Sequence, residues 1–393
     1  MNAIDLLSDE FRRTTDEVYP ALHDSGELAF DARTGAYYVW GREPAHSVLT
    51  DHDTFASGLR QPPARSIYGA ATMIFTDPPG HGRLRKAFGP FLAAKAVHDL
   101  DEELDRHIAD MLERGLASGD FDAMALICRP LPVIAICNLV GIPTDRWSEL
   151  EAWSNAVVEV SGGPDGARRR RSSARSLRAF FADLARDEGQ PDPQVASAHR
   201  SLAATGLTDD EVAAGLMLLL IAGHETTAGF LGNVVHLLAT HPHLLEIARS
   251  DPDAFVDEAL RLVGPVLALR RITTRPASVG DTPIPEGATV IVLPAAANRD
   301  PRVYRSPGTF DLDRASEPPA LAFGFGIHRC AGARLALLEA RKLARAIGSG
   351  LGEIRMRGDA VDYVRSVFVR RPVRLDVRAT PRTRPATTEA ERQ

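Results

Sequence analysis

The chain has 393 residues, of which 44% are hydrophobic and 25% are charged, a composition typical of a folded globular protein. A chain of this size can bury a large core and still enclose an internal cavity. The formal net charge of −6 argues against a nucleic-acid partner. The 3 cysteines exclude a disulfide framework, because Cys128 and Cys137 both lie in apolar helical sequence.

Helical patterns run almost from end to end, and no linker rich in glycine, serine or proline divides the sequence. We therefore predict a mainly α-helical protein with small β-sheets, in the α+β class, with a single domain over residues 1–378. Residues 379–393 have no apolar periodicity and are predicted to form a disordered tail.

The sequence also predicts a soluble, cytoplasmic and monomeric protein that does not enter a membrane. Its first ten residues have neither a basic start nor an apolar run of signal-peptide length. The longest apolar stretch, Leu216 to Gly223, is too short to span a bilayer.

The first informative segment along the chain is residues 77–85, which read Asp-Pro-Pro-Gly-His-Gly-Arg-Leu-Arg. His81 and Arg85 are four residues apart, so a helix there places both on one face. Further on, the run Arg168-Arg169-Arg170-Arg171 follows a glycine-rich stretch. We predict that this run lies in a solvated loop.

The longest helical pattern opens with a capping box, in which the hydroxyl of Thr208 precedes Glu211 by three residues. Its apolar sequence is interrupted at residues 222–227 by Ala-Gly-His-Glu-Thr-Thr. Glycine and threonine are unfavourable inside a helix, and threonine hydroxyls compete for backbone carbonyls and can open the helical ladder. A surface stretch is the alternative, but apolar flanks on both sides favour a functional site.

Charged residues also occur in the next two predicted elements, a helix and a strand. Glu258 and Arg261 are three residues apart on an amphipathic helix, where an ordinary surface ion pair is one interpretation. Arg271, within Leu-Arg-Arg-Ile-Thr at residues 269–273, begins a predicted strand.

Residues 323–332 read Phe-Gly-Phe-Gly-Ile-His-Arg-Cys-Ala-Gly and run directly into a strong helical pattern. Gly324 and Gly326 permit backbone angles closed to other residues, so that N–H groups of the loop can turn towards the sulfur of Cys330. The following helix N-terminus favours a thiolate. A buried structural cysteine is the alternative, but it leaves the surrounding pattern unexplained. The loop therefore predicts a thiolate ligand to a metal.

Together these motifs resemble those of the cytochrome P450 family. They occur in the family's order: Pro-Pro-Gly-His, Ala-Gly-His-Glu-Thr-Thr, Glu-x-x-Arg, Asn-Arg-Asp-Pro at residues 298–301, and the cysteine loop. The resemblance extends from about residue 39 to residue 377 and is to soluble bacterial members. It implies a cytochrome P450 fold with haem b, iron protoporphyrin IX, between a long central helix and the cysteine-ligand loop. It also implies the activity of a haem-thiolate monooxygenase.

The resemblance assigns roles residue by residue. Cys330 would be the axial ligand of the haem iron, while Glu225 and Thr226 would deliver protons to the bound oxygen. Glu258, Arg261 and Arg314 would form a structural triad, although Leu312 stands where many relatives have a proline. The remaining cofactor-binding residues implied by the resemblance are His81, Arg85, Ala222, Gly223, Arg271, Phe323, Gly324, His328 and Gly332.

The resemblance further implies the partners of the reaction. These are O2, a mostly apolar small organic substrate from secondary metabolism, and two electrons from NAD(P)H through a ferredoxin reductase and a ferredoxin. Arg60 and Arg65 either pair with a substrate carboxylate or face solvent. The predicted ferredoxin patch is basic and consists of Arg83, Lys86, Arg329, Arg334 and Lys342.

Other activities remain open at this stage. The same haem site serves epoxidation, oxidative coupling or demethylation as well as hydroxylation. A non-catalytic haem sensor and a cofactor-free helical interaction protein belong to other classes. The Glu225–Thr226 pair speaks against a sensor, because binding a ligand does not require proton delivery.

Overall fold

The computed structural model describes residues 5–6, 8–58, 66–142, 146–159, 163–186, 201–202, 204–314, 316–358 and 360–382. These residues form mainly helices with small β-sheets, as the sequence predicts. The α-helices are α1 Asp9–Arg13, α2 Thr15–Asp24, α3 Arg42–Thr50, α4 Gly80–Phe88, α5 Ala94–His98, α6 Asp101–Ser118, α7 Pro130–Val140, α8 Trp147–Val158, α9 Gly163–Arg186, α10 Asp209–Thr240, α11 Leu244–Ser250, α12 Pro252–Val263, α13 Pro294–Ala297 and α14 Ala333–Gly350.

Helix α10 is the central element. It begins at the predicted capping box, where the side chain of Thr208 accepts from the backbone N–H of Glu211 and the Glu211 carboxylate accepts in return. By length and composition α10 is long and apolar enough to cross a membrane, but 83% of its most apolar window is buried inside the protein. It packs against α7, α8, α9 and α14. This burial is typical of a core helix.

The strands of the described residues form three small sheets. One has the order β1-β2-β8-β5-β3, in which only the β2–β8 pairing is parallel; another has the order β4-β10-β9, and β6 with β7 makes a hairpin. In the five-stranded sheet, β3 pairs antiparallel with β5, placing Ala56 opposite Ile272. The strands are β1 Leu28–Asp31, β2 Ala36–Val39, β3 Phe55–Ala56, β4 Asp120–Asp122, β5 Leu269–Thr273, β6 Ala277–Val279, β7 Thr282–Ile284, β8 Thr289–Val292, β9 Leu351–Met356 and β10 Asp376–Pro381.

The predicted start of the disordered tail is wrong by three residues. Residues 379–381 belong to β10, which pairs antiparallel with β9, and the side chain of Ala379 is buried. Backbone pairing with a neighbouring strand orders a segment whose own sequence has no apolar periodicity. Residues 383–393 lie outside the described part of the chain, and the assignment of the rest to one domain stays a prediction.

The arginine run also differs from its prediction. Arg168–Arg171 lie within α9 and not in a loop. Beyond the arginines, α9 carries Ala174, Leu177 and Phe181 at helical spacing, and all three are buried. Helix α9 packs on α8 and α10 through these buried side chains. The contacts stabilise the helix, and the helical conformation extends towards the N-terminus to include the arginines.

The site lies between the middle of α10 and the segment that enters α14. The largest hydrophobic core surrounds this region, with buried residues from α4, α6, α7, α10, α12 and α14. Strand β5 and the last turn of α4 close its remaining side through Arg271, Leu269 and Arg85.

Candidate active site

The cysteine loop is a tightly folded segment. Two 3₁₀ turns, Leu321–Phe323 and Gly326–His328, precede Cys330, whose backbone N–H donates to the carbonyl oxygen of Phe323 at 2.9 Å. Gly324 and Gly326 have φ values of 63° and 72°, as their predicted role requires. A Cβ on Gly326 would lie 2.5 Å from the carbonyl oxygen of Leu49. Both backbone angle and space therefore demand glycine at residue 326.

The thiol of Cys330 faces a cavity, where it is exposed. Removal from bulk water raises the pKa of this thiol, although a hydrogen bond from the backbone N–H of Gly332 and the charges of Arg85 and Arg329 lower it. Burial therefore opposes the thiolate that the loop and the helix N-terminus favour. A metal ion deprotonates a coordinating thiol outright, so the thiolate would come from coordination itself.

The cavity brings together most of the residues that the family resemblance assigns to the cofactor and to proton delivery. His81 and Glu225 are the exceptions, since neither lines the cavity in the described residues. The predicted residues that do line it are Arg85, Ala222, Gly223, Thr226, Arg271, Phe323, Gly324, His328, Cys330 and Gly332.

The middle of α10 forms the wall opposite Cys330. A Cβ on Gly223 would lie 2.8 Å from Cδ1 of Ile136, so a larger residue would displace that side chain. The hydroxyl of Thr226 donates to the carbonyl oxygen of Ala222 at 2.6 Å, the competition for a carbonyl that the sequence predicts. The helix nevertheless runs without a break from Asp209 to Thr240, so its ladder is not opened.

Glu225 points away from the cavity. Nε of Arg371 donates to its Oε2 at 3.1 Å, while its Oε1 is buried without a hydrogen-bond partner. Burial raises the pKa of Glu225, and the charge of Arg371 opposes that shift. A second nitrogen of Arg371 donates to Asn155 of α8 at 3.0 Å. The two members of the predicted acid–alcohol pair therefore lie apart: the hydroxyl of Thr226 faces the cavity, whereas the carboxylate of Glu225 is bound to Arg371 outside it.

Hydrogen-bonding groups that lack partners among the described residues lie at one end of the cavity and directly behind it. Nε2 of His81 and Nδ1 of His328 are both buried without a hydrogen bond, and the two rings lie 4.6 Å apart. Arg271 is buried, its guanidinium donates to the carbonyl of Arg270, and no carboxylate pairs with it among the described residues. Burial lowers the pKa of Arg271 to about 10. With Arg85 also lining the cavity, this chemistry fits the carboxylates of haem propionates.

Glu258, Arg261 and Arg314 meet as the resemblance predicts. Arg261 donates to both oxygens of Glu258 at 2.6 and 2.8 Å, and Nε of Arg314 donates to Oε1 of Glu258 at 2.9 Å. Arg261 also donates to the carbonyl oxygen of Asn298, and the side chain of Asn298 accepts from the backbone N–H of Leu321. This chain of bonds connects the buried triad to the cysteine loop.

The predicted basic patch is smaller than expected. Arg83 pairs with Glu211, and Lys342 is buried and pairs with Asp101 and Asp105. The other three cations, Lys86, Arg329 and Arg334, are exposed and form no ion pair within the described residues. Arg60 and Arg65, proposed as substrate contacts, lie outside the described residues.

Sequence reasoning missed three residues of this region. Arg371 holds Glu225, Ser57 lines the cavity, and Asp77 accepts a hydrogen bond from His328. Asp77 stood next to the recognised Pro-Pro-Gly-His motif, which is the one signal that pointed towards it. Nothing in the local sequence marks Arg371 or Ser57.

Comparison with known proteins agrees with this geometry. The family model of cytochrome P450 matches residues 252–347. The chain is 30% identical over 401 residues to 6-deoxyerythronolide B hydroxylase from Saccharopolyspora erythraea, a match that covers 95% of this chain and 98% of the relative. It is 34% identical over 325 residues to the cytochrome P450 monooxygenase PikC from Streptomyces venezuelae, with 79% and 77% covered.

The solved structures give the same result. The crystal structure of CalO2 superimposes with a TM-score of 0.86 at 26% identity, covering 97% of this chain and 100% of CalO2. The fold, the cysteine facing the cavity and the full-length relatives converge on one answer. The chain belongs to the cytochrome P450 family and is a haem-thiolate monooxygenase.

Proposed function

We propose that this protein hydroxylates a mostly apolar small organic molecule, using haem b, O2 and two electrons that pass from NAD(P)H through ferredoxin reductase and ferredoxin. The observation that carries the proposal is one cavity lined both by the thiol of Cys330 and by Ala222, Gly223 and Thr226 of α10. We further propose that it acts in the cytoplasm as a monomer. Its relatives' names favour a role in secondary metabolism.

Cys330 would hold the haem iron, and Arg85, Arg271 and His328 would bind the propionates, with His81 supporting the His328 ring. When bound, haem with a thiolate ligand supplies the activation of O2 and the transfer of one oxygen atom to the substrate. The chain's own residues then have three tasks: they position the substrate, exclude bulk water and time the delivery of protons.

We assign proton delivery to Thr226 and Glu225. The Thr226 hydroxyl donates to the carbonyl of Ala222 and keeps a lone pair free to accept a proton donor's hydrogen bond. Glu225 is the next residue along α10, and the raised pKa of its buried carboxyl suits a group that takes up and releases protons. To reach Thr226, the Glu225 carboxyl must leave Arg371. That exchange would control when protons arrive.

The substrate class follows from the wall above the site. Met73, Leu218, Leu219, Val266 and Leu269 contribute apolar side chains to the cavity lining. The charged residues of the lining lie on the cofactor side, at Arg85, Arg271 and Arg329. An apolar molecule without a carboxylate therefore suits this pocket best.

The test uses purified, haem-loaded protein with ferredoxin, ferredoxin reductase and NAD(P)H. Candidate ligands are first ranked by their shift of the Soret band as water leaves the iron. A product that gains one oxygen atom from isotopically labelled O2 supports the proposal. Loss of two hydrogens would instead indicate oxidative coupling, and a ligand that shifts the band without any NAD(P)H-driven product would favour a haem sensor.

A further inference from the structure

The hydroxyl of Ser57 is a buried polar group with no partner. The residue follows β3 and lines the cavity, and its Oγ forms no hydrogen bond with the part of the chain that the structure describes. Burying a hydroxyl without a hydrogen bond costs free energy. An unpaired hydroxyl that faces a ligand cavity therefore points to a partner supplied by the ligand.

The register of the sheet places Ser57 beside Arg271. Strand β3 pairs antiparallel with β5, with Phe55 opposite Thr273 and Ala56 opposite Ile272. One further step along the same register sets Ser57 opposite Arg271, and directly opposed residues project to the same side. Both residues line the cavity. The hydroxyl and the guanidinium thus face the same ligand region.

Asp77 holds this arrangement together. Its Oδ2 accepts from the backbone N–H of Gly58 at 2.8 Å, and its Oδ1 accepts from the backbone N–H of Ser57 at 3.1 Å. The same Oδ1 is 3.1 Å from Nε2 of His328 in the cysteine loop. One carboxylate therefore fixes the backbone of Ser57 and the ring of His328 relative to each other.

We propose that the Ser57 hydroxyl donates a hydrogen bond to a haem propionate beside Arg271 and His328, and that Asp77 is the positioning residue for this contact. A carboxylate offers about four lone-pair sites, enough for the donors of Ser57 and Arg271 together. His328 donates as well when both of its ring nitrogens carry a proton, since Nε2 already donates to Asp77. Ser57 is absent from the residues that the family resemblance assigns to the cofactor. The inference rests on haem binding in this cavity, so uptake of haem by the wild-type protein is established first.

The main experiment compares haem loss from the wild-type protein and Ser57→Ala, measured as transfer of haem to excess apomyoglobin in the Soret region. Because a hydrogen bond to a charged group is lost, we expect transfer to be about tenfold faster. Ser66→Ala is the matched control. The Ser66 hydroxyl is also buried without a partner, but it does not line the cavity, so its transfer rate should equal that of the wild type.

A second measurement separates cofactor binding from a structural role. In the haem-free protein the Ser57 hydroxyl has no partner, so Ser57→Ala should leave the thermal midpoint unchanged or raise it, while the haem-loaded form should melt earlier. Equal destabilisation of both forms would overturn the proposal. So would a wild-type rate of haem loss combined with weaker binding of a carboxylic acid ligand, since the hydroxyl would then serve the substrate.

The role of Asp77 is tested by a double-variant cycle. Asp77→Asn should also speed haem loss, and in the Ser57→Ala background its additional effect should shrink, because part of its action passes through Ser57. Independent, fully additive effects on haem loss would contradict the assignment of Asp77 as the positioning residue for Ser57.

Discussion

The two walls of the cavity are built differently. On the cysteine side, both oxygens of the Glu258 carboxylate accept hydrogen bonds, and Arg261 donates to Glu258 and to three carbonyl oxygens. On the α10 side, Oε1 of Glu225 and Nε2 of His224 are buried without partners. The bonds that Glu258 accepts fix the position of the triad, whereas unpaired polar groups, such as these on α10 and Nδ1 of His328, leave alternatives for rearrangement. The triad on the cysteine side therefore holds the cysteine loop in position, whereas the polar groups on the α10 side can rearrange to move protons.

His224 illustrates the difference. It is fully buried, and burial together with the charges of Arg371 and Arg129 lowers its pKa well below the ordinary value. The ring is therefore neutral at physiological pH, and its Nδ1 lies 3.2 Å from the hydroxyl of Ser154 in α8. A neutral imidazole cannot offset the negative charge of the Glu225 carboxylate. The guanidinium of Arg371 forms the ion pair with it instead.

The largest effect is expected from Cys330→Ala, which removes the thiolate on which the cysteine side is organised. The reduced carbon monoxide complex should lose the red-shifted Soret band characteristic of thiolate ligation, and NAD(P)H-driven product should disappear. Cys137→Ala is the control, since that thiol is buried outside the cavity. Retention of the shifted band in Cys330→Ala would show that Cys330 is not the thiolate ligand, and the contrast between the two walls would no longer hold.

Arg261→Ala tests the rigidity of the cysteine side. Without Arg261, the negative charge of the buried Glu258 carboxylate is less well neutralised, and carbonyl oxygens such as that of Asn298 lose their hydrogen-bond donor. We therefore expect the free energy of unfolding to fall by about 3–5 kcal/mol. Denaturant titration provides the measurement. The control is Arg168→Ala, which breaks an exposed pair with Asp165 at the same spacing and should cost less than about 1 kcal/mol. Equal effects of the two variants would remove the distinction.

Thr226→Ala should separate chemistry from stability on the α10 side. Loss of the hydroxyl should divert electrons from product to peroxide. The ratio of product to NAD(P)H should fall by up to about 10²-fold, the lower end of what one proton-transfer group contributes. The unfolding free energy should barely change. Thr226→Ser keeps the hydroxyl and should remain coupled, and equal product per NAD(P)H in Thr226→Ala and the wild type would exclude the role.

The pH dependence of stability should reveal Glu225. Burial raises the pKa of Glu225 above the ordinary value of 4.5. Between pH 4.5 and this raised pKa, the folded state therefore binds more protons than the unfolded state. Stability should therefore fall as the pH rises from about 4.5 through the raised pKa, relative to Glu225→Gln. In Arg371→Ala the stabilising charge is gone, and the fall should extend to higher pH. Parallel curves for the wild type and Glu225→Gln would contradict the burial argument.

The smallest effect concerns the exposed face near the cysteine loop. Reversing Lys86 and Arg334, the two exposed patch cations that do not line the cavity, to glutamate should lower the rate of ferredoxin-supported turnover a few-fold at low salt and less at high salt, because salt screens exposed charges. Lys95→Glu is the control, as that exposed lysine already pairs with Asp99. A turnover rate that does not depend on salt in the wild type would rule out steering.

The sequence by itself determined the fold class, the capping box of α10, the cysteine loop and the triad. These features depend on local spacing, on glycine at Gly324 and Gly326, and on an ordered set of motifs. The division of the acid from the alcohol was not readable, because it depends on Arg371, 146 residues from Glu225. A single charged residue in a C-terminal segment carries no local sign of its distant partner.

Tertiary structure alone decided the remaining features. It placed the arginine run in α9, paired Arg83 and Lys342 with acids, and extended β10 beyond the predicted start of the tail. It also brought Ser57 and Arg271 into the lining of one cavity and Asp77 to His328. Strand register and long-range ion pairs depend on how separate elements pack, and side-chain periodicity within one element does not encode that packing.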